Sequence, residues 1–238
     1  PFWEKRLDGR SWDSRRLQQT GGFIKEKVNT KDKLIRAGIK LFSKYGYAAT
    51  STRVIAAEAG VNLSAVAFHY TNKECLYQTC LNYIVEKIRE YYSPIREKIE
   101  KEFESRSMTR ERAWQYLEDL IDVQIEAAFG KRYQTTLAMV YREEISPESS
   151  HTLTQTVFHQ EEEVMARLLQ VIAPLSDGRA RVISRFINGS IIAFGEHKSL
   201  IAPYLEDSPE REKDPDWVKK EIRSSCMAIV RELREKND

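Results

Sequence analysis

The chain has 238 residues, 41% hydrophobic and 31% charged, with a formal net charge of +2. That is the composition of an ordinary folded protein with material for one large or two modest domains. No apolar run reaches the roughly 18 residues of a membrane-spanning helix, and no apolar segment of a secretory signal opens the chain. Cys75, Cys80 and Cys226 are odd in number and lack C-x-x-C spacing, which argues against a disulfide framework. A cytoplasmic protein with no membrane association is expected, and the start at Pro1 is read as a processed or trimmed terminus. The small overall charge hides an asymmetry. Residues 1–73 hold 14 Lys/Arg against 6 Asp/Glu, net +8, and residues 74–238 hold 24 against 30, net −6. A basic first third on an acidic body suits a nucleic-acid-facing domain joined to something else.

In chain order, residues 1–29 show no sustained periodicity, are broken by Gly21-Gly22, and read as a flexible basic N-terminal arm. A first helix is predicted over about 30–45, capped by Asn29 and stopped by Gly46, with Leu34, Gly38, Leu41, Phe42 and Tyr45 on its buried face. A second covers about 51–59 and stops at Gly60; a third starts after Asn62, whose side chain suits a cap, and ends near Tyr70. Asn72 caps a long fourth helix, which is not expected to pass cleanly through Pro94; 95–104 extends or kinks from it. Helices then follow over about 110–129, 133–145, 150–173, 178–203 and 215–235, the last started by Asp214 and Pro215 after an exposed loop at 206–213. No alternating strand pattern occurs, so the fold is all-α. The division is an arm at 1–29, a three-helix helix-turn-helix domain at 30–76, and a helical effector-binding and dimerisation domain at 77–238.

The stretch from Thr52 to Lys73 is the most informative. Two short helices separated by a glycine turn place the second in the DNA major groove. With Val61 and Val66 turned inward, Leu63, Ser64, Ala67 and Phe68 project outward, toward thymine methyls and sugar edges rather than into bidentate base hydrogen bonds. His69, Tyr70 and Lys73 suit flanking phosphates, and Thr52 can offer its hydroxyl and N–H to another. The plainer alternatives are Phe68 as core, His69 as a structural histidine and Lys73 as a solvated helix-start lysine. The Ala-Gly-Val turn at 59–61, Phe68-His69-Tyr70 and the Asn72-Lys73-Glu74-Cys75-Leu76-Tyr77 run resemble the TetR family of transcriptional regulators over residues 30–88. The 62–70 version is similar to the CecR-type branch. Arg142–Pro147 and Gly189–Phe194 resemble that branch's C-terminal domain more weakly. Ala67 and Leu63 depart from the tyrosine and the basic or polar residue that many members carry there, so no operator sequence transfers.

The resemblance implies a double-stranded DNA operator, a homodimer, and a repressor released by a small-molecule effector. Candidate effector-binding residues are Trp114, Gln124, Tyr133, Met139, Arg142 and His159, which mix aromatic, flexible and polar surface. Arg142 could hold an anion or simply form a surface ion pair. Small and apolar residues over 187–195, with Trp217, Val218, Ile222, Cys226, Ile229, Val230 and Leu233, suit a four-helix dimer interface. The alternative is a helix-turn-helix regulator without a small-molecule ligand, controlled by a protein partner. No HExxH, no repeated Glu-x-x-His and no Gly-rich phosphate loop occurs. A metal site at His159 with Glu162 and Glu163 is the weaker rival, and neither enzyme activity, catalytic residue, metal nor cofactor is expected.

Overall fold

Asn29 starts the first helix, α1 (Thr30–Ala49), by accepting a 2.8 Å hydrogen bond from the Asp32 N–H. It stands at the edge of what a computed structural model describes: residues 29–130, 138–140, 142–143, 159–196, 202–203, 208–210, 214 and 216–235. The expected basic arm therefore lies outside the described residues except for Asn29, which belongs to the helix as its cap. The regular part of α1 stops at Gly46, whose φ of 80° is left-handed and costs glycine little. Helix α2 (Thr52–Ala59) is capped by Ser51, which accepts from the Val54 N–H at 3.3 Å, and ends at Gly60 with φ 64°. Helix α3 (Leu63–His69) follows at once. Asn62 holds the cap position, but its side chain makes no capping hydrogen bond, contrary to expectation. Seven residues cannot hold a helix alone, so α3 depends on tertiary anchoring through Val66, which is buried with Leu34, Ile55 and Ala56.

Helix α4 (Lys73–Glu104) runs 32 residues, capped by Asn72, and it continues through Pro94, so that 95–104 extends it. Pro94 lacks the N–H that would bond the Glu90 carbonyl; the Ser93 hydroxyl donates to that carbonyl at 3.3 Å instead. The helix serves two cores. Leu76, Cys80, Leu81, Ile84, Val85 and Ile88 close over α1–α3, Ile95 and Ile99 join the second core, and Tyr92 packs against both. The N-terminal core thus continues past residue 76 to Ile88.

In the second core, α5 (Arg110–Phe129) has half its residues buried and packs on α4, α6 (His159–Ile172), α7 (Asp177–Glu196) and α8 (Trp217–Glu235). Arg110 donates to the Ile172 carbonyl at 2.8 Å, and Arg223 pairs with Asp122 at 2.8 Å and Glu118 at 3.2 Å. A Cβ on Gly195 would sit 2.6 Å from the Ala128 carbonyl oxygen, so glycine there sets how closely α7 meets α5. Asp214 accepts from the Asp216 N–H at 3.0 Å ahead of α8. Of the helix predicted at 133–145, residues 138–140 and 142–143 are described and helical; Pro147, Pro215 and most of the 206–213 loop lie outside the described residues. No described helix is long and apolar enough to cross a membrane.

The apolar faces assigned to a dimer interface need correction. Ile187 and Ile191 on α7, and Ile222, Cys226, Val230 and Leu233 on α8, are buried within the chain's own core. The large apolar side chains that α7 leaves outward are Val182, 70% exposed, Phe186, 63% exposed, and Phe194, 37% exposed; Gly189 and Ala193 lie on the stripe of Val182 and Phe186.

Candidate nucleic-acid interface

Burial of Ile55, Ala56 and Val66 against Leu34 and Phe42 of α1 fixes how α3 is turned. A seven-residue helix buried along one line must expose its other residues. Phe68 is 84% exposed and Leu63 44%, with Ser64, Ala67 and His69 also exposed. Phe68 is therefore not core: its only described aromatic contact is edge-on to His69 at 5.1 Å. The outer face of α3 presents methyl groups, one hydroxyl, an aromatic ring and an imidazole, a surface suited to shape and methyl contact rather than to bidentate hydrogen bonds.

Three of the flanking residues sit differently from one another. Tyr70 is 4% exposed, inside the N-terminal core, and its hydroxyl is buried without a partner, which corrects the phosphate role given to it. Burial pushes that phenol up to about 12. Lys73, the first residue of α4, is half-buried; its ammonium donates to the Tyr47 carbonyl at 3.0 Å and lies 4.1 Å from that ring's centroid. It pins the start of α4 to the turn after Gly46, with the ammonium's other donors still to be met. Thr52 is the half-buried first residue of α2, where helix N–H groups lack intrahelical partners. Arg53, next to it and exposed, was not among the sequence candidates; a cation in the first turn of a helix, where the dipole disfavours it, is the signal that could have found it.

The effector candidates do not converge. Trp114 packs on the second core beneath Arg234. Gln124 is buried with its amide oxygen unpartnered. Met139 is 1% exposed but sits in the N-terminal core beside Val140. Arg142 is not aimed at a ligand: its Nε donates to the Ser43 carbonyl at 2.7 Å and its Nη2 to Lys44 at 3.0 Å, capping the end of α1's regular part. Tyr133 lies outside the described residues. His159 lines a cleft of about 620 Å³ formed with Arg89, Arg96, Glu100, Gln160, Glu163, Val164 and Arg181. No group of three or more His, Cys, Asp or Glu side chains poised for a metal ion occurs among the described residues.

Three helices around one small core, the second and third joined by a left-handed glycine turn and the third showing an unsatisfied outer face, define a helix-turn-helix domain. Residues 34–80 match the model of the bacterial regulatory proteins of the tetR family. It is 41% identical over 73 residues to the HTH-type transcriptional dual regulator CecR of Shigella flexneri, a match covering 31% of this chain and 32% of that one. It is 30% identical over 117 residues to the HTH-type transcriptional regulator YttP of Bacillus subtilis, covering 49% and 51%. The matches thus span a third to a half of these relatives' lengths. A TetR-family transcriptional regulator of Streptomyces coelicolor shares the fold with a TM-score of 0.61 at 14% identity, over 94% of this chain and 98% of that one.

Proposed function

We propose that the chain is a DNA-binding transcriptional repressor that holds a palindromic operator as a homodimer and leaves it when a small-molecule effector binds. The observation that carries the DNA-binding reading is the outer face of α3, above all Phe68, whose exposure has no intramolecular return. The domain around it supports the reading too, since residues 30–76 carry seven Lys/Arg against three Asp/Glu. The relatives named above are described as transcriptional regulators. A homodimer is supported by the outward stripe of Val182, Phe186, Gly189 and Ala193, whose 4-3-4 spacing is that of a helix-packing seam. Exposed Ser225 and Ala228 on α8 permit close approach beside it.

Selecting bound duplexes from a random library, then measuring affinity against salt, tests this. Wild type should enrich a two-fold symmetric sequence, and Phe68→Ala should reduce its preference over random duplex at least tenfold. Lys73→Ala should weaken binding to all sequences and lower the salt slope by about one. A Lys73 variant with an unchanged slope assigns that ammonium to Tyr47 alone. A library showing no enrichment removes sequence-specific binding.

A further inference from the structure

We propose that the cleft between α4, α6 and α7 is an anion site for a small metabolite bearing carboxylate or phosphate groups, and that this metabolite is the effector of the regulator proposed above. The cleft's volume, about 620 Å³, is that of a small-molecule site. Arg89 and Arg96 stand seven residues apart on α4, two turns and roughly 10 Å along one face. Arg181 of α7 and the exposed His159 of α6 complete the lining, in which Val164 is the one apolar side chain among the described residues.

The charges that line the cleft do not cancel locally. Glu100 is taken by Arg167, which reaches both its oxygens at 2.8 Å from outside the lining. Glu163 is taken by Arg181 at 2.5 Å. Arg96 is left with the Gln160 amide oxygen at 3.1 Å and one carboxylate, Glu161, at 3.9 Å. Glu161 is 7% exposed, and burial pushes it up to about 7 against the pull of Arg96, so it is a weak counter-ion at neutral pH. Arg89 has the exposed Glu86 one turn away on its own helix at 3.3 Å, a pair of little strength in water. Two guanidinium forks on one face, each with donors to spare, suit bidentate capture of separated anionic groups. The same α4 carries the N-terminal core from Leu76 to Ile88, so an anion tying α4 to α6 and α7 acts on the helix that seats the recognition unit.

Calorimetric titration of the full chain with pyrophosphate and with tricarballylate, at ionic strength held constant with chloride, tests the site. At least one should bind saturably, and which one binds separates phosphate from carboxylate recognition. Arg96→Gln and Arg89→Gln should each weaken it tenfold or more, and Arg96→Lys, which keeps the charge and loses the fork, should weaken it less than Arg96→Gln. Urea unfolding checks that each variant is folded; Arg89, the more exposed, carries the test if Arg96→Gln is not. Heat from neither anion, or binding that the Arg89 and Arg96 variants leave unchanged, overturns the site. The effect on DNA is read separately: anion binding in a protein that selects no DNA sequence would sink the regulator and leave the anion site standing.

Discussion

Tyr70 shows what a residue's neighbours can hide. Its place beside Phe68 and His69 suggested a phosphate contact, yet its side chain turns inward and leaves a phenol oxygen with no partner. An unsatisfied buried hydroxyl costs about 1–3 kcal/mol. Tyr70→Phe should therefore stabilise the chain by about 1 kcal/mol in urea unfolding and leave its DNA affinity unchanged; a loss of DNA affinity would return Tyr70 to the interface. Glu161 gives a second case. Its carboxyl is raised by burial to about 7, so its neutral form is the one the fold favours. The stability associated with that, about 3 kcal/mol at most, is fully present below the ordinary value near 4.5 and is lost as pH rises through 7. Glu161→Gln keeps the neutral shape, so it should be more stable than wild type at pH 8 and nearly equal to it at pH 4.5. An equal difference at both pH values would mean that the buried charge is not the cause.

Several helix starts declared themselves in the sequence through a local signal. Asn29, Asn72 and Asp214 each accept a hydrogen bond from an N–H two or three residues on, a chemistry confined to a few positions. Asn62 carries the same signal and makes no such bond. The outward face of α3 was legible too, because α3 is short and Val66 alone sets its orientation. Extension or a kink beyond Pro94 stayed open in the sequence, and the helix runs on with its cost met by a neighbour, Ser93. Burial of α7 and α8 was legible, but not against what: periodicity marks an apolar face without naming its partner, and those faces belong to the chain's own core. Arg142 and Met139 were out of reach, since Arg142 bonds carbonyls 99 and 98 residues earlier and Met139 joins the core built by Leu34–Ile88. Contact between α1 and α4 is where the next prediction falls. A Cβ on Gly38 would meet the Cys80 sulfur at 2.8 Å in a site closed on all sides. Gly38→Ala should cost about 1–3 kcal/mol despite alanine's better helix propensity. Cys80→Ala should recover much of that loss in the double variant, and additive effects would show that the two helices are not in tight register there.

At the scale of the molecule, one long helix joins a basic helix-turn-helix unit to a helical body with an outward apolar stripe. A single α3, reading by shape and methyl contact, has little affinity to offer; two, set about 34–36 Å apart by a two-fold axis, can grip successive turns of DNA. Ile191 is fully buried, so charging it would unfold the body and say nothing about assembly. Phe186, on the open stripe, is the better site. The most direct measurement is sedimentation of wild type and Phe186→Glu at micromolar concentration, alone and with the duplex enriched from a random library. Wild type should sediment as a dimer and load two protomers per duplex, and Phe186→Glu should be a folded monomer that loses the sequence preference. A wild-type monomer holding the palindrome tightly, or a Phe186→Glu variant that still dimerises and selects the same duplex, would contradict the account.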